Sequence, residues 1–435
     1  WQTVVLELSP AEVDRIVGIS LGAREIADIL GRLGFSCELV GGAGMGDFAT
    51  YVHEPAVRVT VPSFRLDVQI LADLCEEVAR IYGYDRIPET RLADELPTSQ
   101  NHKELGLEQK ARDTLVGCGL DELITHSLIA MPLVAKLQPS AALAERYVKL
   151  ANPNTPERTY MRRSLLPSLG EALTNNLRER ERVAVFEVGR VYLNPERLGE
   201  GGRWLPDEPR CLAIAMAGPR EAEGWAATQR EPMGFYDIKG VVEVLGERLG
   251  LGGRLSYAPL SDDERFHPGR SAVLLLETPD PAVAGKKGKP ALISQPVGVL
   301  GELHPAVRER LELGLPRAAM AELDLDALFA ASDQAHFSSI SRFPAIVQDL
   351  SITAPLAVSE AQVAALIRRG AGDLLESLTL FDVYSGPQVG EGRRSLTYHL
   401  TFRAADRTLT DDALTKVRKK IIAGLEREIG ASIRA

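Results

Sequence analysis

Four carboxylates, Asp67, Asp73, Glu76 and Glu77, fall within one short stretch of the chain. Carboxylates gathered in this way are the ligands that hard cations such as magnesium take, usually one or two acids directly with water or a phosphate completing the shell. Three of the four are spaced to share a face: residues three and four apart are neighbours on a helix, which groups Asp73 with Glu76 and Glu77. Asp67 lies just before them, where the chain can fold back. The same acids also suit a solvated helix start, because acidic side chains in a first turn complement the helix dipole and Glu76 can pair with Arg80 four residues on. The residue types leave both chemistries open.

The elements that must position these acids are legible on either side. Val57, Val59 and Val61 alternate with polar residues, the period of a half-buried strand, and Pro62 ends it. From Ile70 to Tyr84 the apolar residues Leu71, Leu74, Cys75, Val78, Ile81 and Tyr82 recur at three- and four-residue steps, which predicts an amphipathic helix with its other side acidic. Upstream, Val4 to Leu8 reads as a strand. Ser9-Pro10-Ala11-Glu12 has the form of a capping box with proline at the first helical position, and helices follow over Glu12 to Val17 and Ala23 to Leu33. Phe35 to Val40 reads as a strand and Gly41 to Gly46 as a turn or wing.

Composition bounds the function classes. A chain of 435 residues with 45% hydrophobic and 25% charged residues is ordinary globular protein with room for two to four domains. No apolar run approaches the roughly eighteen residues of a membrane span, and no basic-then-apolar leader opens the chain, so a cytoplasmic protein without membrane association is expected. Trp1 in place of Met suggests a piece of a longer polypeptide. Cys37, Cys75, Cys118 and Cys211 are far apart, with no CxxC, which points to reduced thiols rather than zinc. The net charge of −10 argues against a nucleic-acid-coated surface, but residues 341–435 carry thirteen Lys and Arg against eleven Asp and Glu. Any RNA contact is therefore expected in that last quarter. His267 and His304 each precede a proline with no nucleophile motif nearby, which reads as turn formation rather than acid-base chemistry.

The string PSFRLDVQILADLCEEVARIYGYDRIP closely resembles the matching stretch of the bacterial-type phenylalanyl-tRNA synthetase β subunit family. The resemblance implies a magnesium ion, shared with the α subunit, at Asp67, Asp73, Glu76 and Glu77. It extends over LANPNTPERTYMRRSLLPSLGEALTNNLRERERVAVFEVGRVY from Leu150, where Val185 to Arg190 looks like the strand after the second motif of class II synthetases. Class II enzymes clamp ATP with arginines, which makes Arg162, Arg163, Arg178 and Arg190 candidates. However, neither the arginine-x-glutamate pair nor the late arginine of the third motif is found in the expected order, and these arginines read as structural or interface groups. The family's domain here is catalytic in shape only. Further strings, from FYDIKG through FHPGRSA and VLGELHP to AELDL, continue the likeness, and Lys286-Lys287-Gly288-Lys289 reads as an exposed basic loop.

At the C-terminus the order strand Ile346 to Ile352, helix Ser359 to Arg369, strands Leu375 to Val383 and Ser395 to Arg403, helix Asp411 to Ile429 and a short strand at Ser432 to Arg434 spells βαββαβ. The strings SRFPAIVQDLSI, LFDVYSG and GRRSLTYHLTFRAADRTLTDDAL resemble the family's ferredoxin-fold anticodon-binding domain. Phe343, Phe381, Tyr384, Tyr398 and Phe402 place aromatics on strands, about half of which must fill the core. Arg342, Arg393, Arg394, Arg403 and Arg407 are the candidates for reaching phosphates or stacking on unpaired bases.

The expected fold class is α+β in three domains. Residues 1–89 form a winged-helix-like module with the acidic helix, 90–335 a class II synthetase-like antiparallel sheet domain without catalytic motifs, and 341–435 the ferredoxin-like domain. Arg91 to Lys103 is the expected linker. DNA binding is discounted because the best-defined helix of the first module is acidic. The resemblance implies a β subunit portion of phenylalanine-tRNA ligase in an α2β2 heterotetramer with tRNA as partner, non-catalytic alone, with ATP bound mainly by the α subunit. A free-standing RNA-binding protein and an independent class II ligase are the alternatives.

Overall fold

A computed structural model describes residues 2–41, 55–90, 102–141, 144–193, 205–225, 230–279, 292–333 and 340–433. Most of the Gly41 to Gly46 wing, the Arg91 to Lys103 linker and the whole Lys286 to Lys289 loop lie outside them. The chain divides into two compact units, Trp1–Asn101 and His102–Ala435.

In the first unit, strands Val5–Leu8, Ala56–Thr60 and Ser36–Val40 form an antiparallel sheet with Ala56–Thr60 in the centre. The alternation read from sequence decides its faces: Val57 and Val59 are fully buried with Leu8, Val13, Ile26, Leu30, Leu74 and Val78. Helices Pro10–Val17, Ala23–Arg32 and Leu71–Tyr82 supply the other side of that core. Ser9 caps the first, accepting from the Glu12 amide at 3.2 Å, and Gly18 closes it with φ of 79°.

The second unit contains two large sheets. One has seven strands in the order Asp121–Glu122, Val183–Arg190, Arg210–Ala217, Ala318–Asp324, Leu292–Leu303, Phe266–Pro279 and Leu255–Pro259. All neighbours are antiparallel except the first pair, which is parallel. Two apolar clusters cover it. One joins helices Lys103–Gly117, Phe235–Arg248 and Leu325–Ala331 to the sheet through Leu115, Ile238, Leu245 and Leu328. The other joins Leu166–Leu177 and Pro305–Arg310 through Leu169, Leu173 and Val307. Both faces of the central strands are therefore apolar, and Leu212 to Ala217 are buried without alternation.

Leu123 to Leu128 alternate in sequence as a strand would, but they do not form one. Only Asp121–Glu122 and Leu128–Ile129 pair, because the chain between them turns to buried polar groups: the Thr125 hydroxyl reaches Glu187 and the Ser127 carbonyl accepts from the Arg162 amide. Both flagged histidines serve local turns, with His267 Nδ1 accepting from the Gly269 amide at 3.1 Å and His304 Nδ1 from Ala306 at 3.2 Å.

The remaining sheet has the order Leu375–Tyr384, Arg393–Phe402, Ile346–Pro355 and Ser432–Ile433, antiparallel throughout. With helices Glu360–Ala371 and Asp411–Ile429 contributing Val363, Ile367, Ile421 and Leu425 to its core, this is the ferredoxin-like arrangement the βαββαβ order predicts.

Candidate functional site

The acidic helix starts where Asp73 reaches back: its Oδ2 accepts from the Gln69 amide at 2.8 Å and the Ile70 amide at 2.9 Å. That carboxylate is spent on the helix N-terminus. Glu77 lies on the core side and is nearly buried, whereas Asp67 and Glu76 are exposed. Between Asp67 and Glu77 stands Arg65. Its Nε donates to Asp67 Oδ1 at 3.0 Å, and its Nη2 donates to Asp67 Oδ2 and Glu77 Oε1, both at 2.7 Å. Arg80 donates to the other Glu77 oxygen. The expected Glu76 to Arg80 pair is thus replaced by Glu77 to Arg80, and Glu76 makes no hydrogen bond or ion pair among the described residues. Hydrogen bonding from Arg65 holds the carboxyls of both Asp67 and Glu77 below their usual range, and these bonds raise the already high pKa of the Arg65 guanidinium, Asp67 contributing most.

The donor chemistry suits a hard cation; the arrangement does not. A guanidinium fills the place between Asp67 and Glu77 that an ion would take, and Asp73 is committed to backbone amides. Among the described residues no group of three or more His, Cys, Asp or Glu is disposed to hold a metal.

The four arginines considered as phosphate clamps are not brought together. Arg162 is buried against Glu187, Nη1 to Oε1 at 2.7 Å, with side-chain exposures of 4% and 1%. It also bonds the Thr125 hydroxyl and the Arg190 carbonyl, both at 2.9 Å. Arg163 donates to the Arg146 carbonyl and Arg190 to the Glu208 carbonyl. Arg178 lines a separate cleft of about 690 Å³ with Arg180 and Arg230. The strand Ala318–Asp324 runs into a short helix bearing Asp326, and that carboxylate accepts from Arg210 Nε at 2.7 Å. A cleft of about 460 Å³ on the seven-stranded sheet is lined by Val273, Val299, Cys211, Arg163 and Glu322. Glu322 accepts from the Leu165 amide at 2.7 Å and the Ser164 hydroxyl at 2.9 Å, and burial pushes its carboxyl up, so this cleft presents a sequestered acid where an ATP site needs converging cations.

On the ferredoxin-like sheet, Tyr398 and Phe402 fill the core. Phe381 stays about half exposed and stacks on His399 with ring centroids 4.0 Å apart, while His399 Nδ1 pairs with Asp349. A register shift between Leu380 and Asp382 turns Phe381 onto this outer face. Of the five arginines singled out, Arg393 donates to the Thr353 and Gly430 carbonyls and Arg394 to the Val358 carbonyl. Arg403 bonds Glu376 and the Phe343 carbonyl. Arg407 pairs with its exposed neighbour Asp406, and Arg342 is exposed with no ion pair or hydrogen bond among the described residues.

Three family models match successive stretches of the chain. The family model described as the phenylalanyl tRNA synthetase beta chain CLM domain matches residues 87–325, more than half of the chain. The chain belongs to the phenylalanyl-tRNA synthetase beta chain family. A tRNA synthetase B5 domain matches residues 6–84 and a ferredoxin-fold anticodon binding domain residues 341–434. Among curated relatives, the phenylalanine–tRNA ligase beta subunit of Shouchella clausii is 34% identical over 99% of this chain and 49% of its own length. That of Symbiobacterium thermophilum is 39% identical over 87% of this chain and 40% of its own. The chain therefore spans about half the length of the curated relatives it matches. A pyrrolysyl-tRNA synthetase structure from Desulfitobacterium hafniense gives a TM-score of 0.37 at 15% identity over 52% of this chain and 68% of that one, a likeness too distant to support a conclusion.

For a synthetase beta chain some informative residues carry little mark in the sequence. Arg65 stands two residues before Asp67 in FRLD, and an arginine beside a set of acids was the available signal for an internal counter-ion. Phe381 stands in the sequence as one aromatic among five, since no strand period announces a bulge. Glu187 had no signal: its partner Arg162 is 25 residues away in sequence.

Proposed function

We propose that this chain is the non-catalytic portion of a phenylalanine–tRNA ligase beta subunit, serving the ATP-dependent attachment of phenylalanine to its tRNA as scaffold, subunit interface and tRNA contact. The observation that carries this reading is the state of the class II-like sheet. Its candidate clamp arginines Arg162, Arg163 and Arg190 are bonded to internal acceptors, and Arg178 lines a separate cleft. A shape built for activation without the charges that bind ATP supports a role beside an active site on the α subunit, in an α2β2 assembly. In this reading ATP belongs to the α subunit, the complex works in the cytoplasm, and a magnesium ion on Asp67, Asp73, Glu76 and Glu77 requires Arg65 to give up its two carboxylates. Among the described residues no helix is long and apolar enough to cross a membrane.

The outer face of the ferredoxin-like sheet is the proposed tRNA contact. Phe381 offers an exposed ring already ordered by His399, which lowers the entropic cost of stacking on a base. Arg342 and Arg407 are the proposed phosphate contacts of the set, while Arg403 holds the Phe343 carbonyl beside Arg342 and Arg393 and Arg394 tie down the opposite end of the sheet. Co-expression of the full-length beta chain with its cognate α chain tests the reading: a stable complex is expected on size-exclusion chromatography. Two chains eluting apart at micromolar concentration would refute it.

A further inference from the structure

We propose that Arg65 is the resident counter-ion of the acidic helix, and that a divalent cation competes with it for the same two carboxylates. Arg65 bonds Asp67 through two nitrogens and Glu77 through one, so a single planar guanidinium joins the loop before the helix to the helix itself. Such a fork matches carboxylate geometry and cannot lose its charge at any physiological pH. Its side chain is only 20% exposed and that of Glu77 only 9%, so both are substantially removed from water. An incoming Mg²⁺ would meet a fixed positive charge at hydrogen-bond distance from both of its prospective anchors. It would find Asp73 turned to the Gln69 and Ile70 amides and the second Glu77 oxygen bonded to Arg80.

Among the described residues, Arg65 and Arg80 stand on the cationic side, Asp67, Asp73 and Glu77 serve as acceptors or caps, Glu76 is exposed, and the Phe35 ring lies 5.6 Å from the Arg65 guanidinium. Cation entry and Arg65 release are then one event. A surface on which the guanidinium is drawn off, for example by a carboxylate of a partner, opens the position to the ion. Without that, the acids stay paired internally.

Isothermal titration of Mg²⁺ into the 435-residue chain tests it, with circular dichroism confirming the fold of each variant. Wild type is expected to give no saturable binding through the low millimolar range. Arg65→Gln, which removes the competing charge and keeps a hydrogen-bonding amide, is expected to bind Mg²⁺ at least about tenfold more tightly. Adding Asp67→Asn to Arg65→Gln should abolish the gain. Saturable sub-millimolar binding by the wild-type chain overturns the proposal with no variant needed, and so does a folded Arg65→Gln chain that gains nothing.

Discussion

Truncating Arg162 to alanine separates a strut from a clamp. In the folded chain this guanidinium makes three hydrogen bonds of 2.7–2.9 Å, to Glu187, to the Thr125 hydroxyl and to the Arg190 carbonyl. Glu187, 1% exposed, is left after truncation with the Thr125 hydroxyl at 2.7 Å as its remaining partner among the described residues. Removing one member of a buried ion pair costs about 3–5 kcal/mol, mostly because the surviving charge is stranded away from water. The same pair replaced on both sides, Arg162→Met with Glu187→Leu, should lie within about 2 kcal/mol of the parent, since no charge is then stranded. The several cores of the chain need not unfold together, so a local probe is appropriate. Native-state hydrogen exchange of the amides in Val183–Arg190 and Arg210–Ala217 reads the relevant opening, and about 3 kcal/mol corresponds to a roughly hundredfold faster exchange. Exchange in Arg162→Ala within about fivefold of wild type would refute the buried-strut reading. A clamp would show the opposite pattern, unchanged protection with weakened nucleotide binding.

Phe381→Ala should weaken tRNA binding by the αβ complex by about 1–3 kcal/mol, or roughly 5- to 150-fold, while Phe381→Tyr retains it; fluorescence anisotropy at fixed salt reads this, and equal affinities would remove the outer sheet face as a contact. In the same assay Arg342→Ala and Arg407→Ala should each lower the salt dependence of binding by about one counter-ion, and unchanged slopes would exclude them as phosphate contacts. Because the Glu77 carboxyl is held below its ordinary range by Arg65 first and Arg80 second, its stabilising contribution is complete above about pH 4.3 and lost as pH falls through the lower folded value. Glu77→Gln should therefore flatten acid denaturation of the first unit in that window, and an unaltered acid limb would contradict the pairing. Gly218→Ala should destabilise the sheet by more than about 2 kcal/mol in thermal unfolding, because φ is 95° and a Cβ there would sit 2.1 Å from the Glu181 carbonyl oxygen; an unchanged midpoint would show that the turn relaxes.

Local periodicity carried the elements well. The valines of Ala56–Thr60, the stripe of Leu71–Tyr82 and the order of the last sheet are all read from neighbours at two, three or four residues, and the fold uses those same neighbours. What sequence could not show is what depends on distant partners. Leu123 to Leu128 alternate as a strand would, yet Thr125 and Ser127 answer to Glu187 and Arg162, 62 and 35 positions along the chain. The acids are visible in sequence as a set, but their engagement is not, since it turns on rotamers that let one guanidinium reach carboxylates two and twelve residues away. Likewise Arg393 and Arg394 looked available for RNA, and only the folded chain shows their donors turned to the Thr353, Gly430 and Val358 carbonyls.

Phenylalanine-dependent exchange of pyrophosphate into ATP tests most directly the idea that the reacting chemistry lies on a partner chain. Measured on this chain alone, then on the complex of full-length beta chain with α, the expected result is background exchange in the first case and robust exchange in the second. Exchange by the isolated chain, lost on mutating residues of its own seven-stranded sheet, would contradict it.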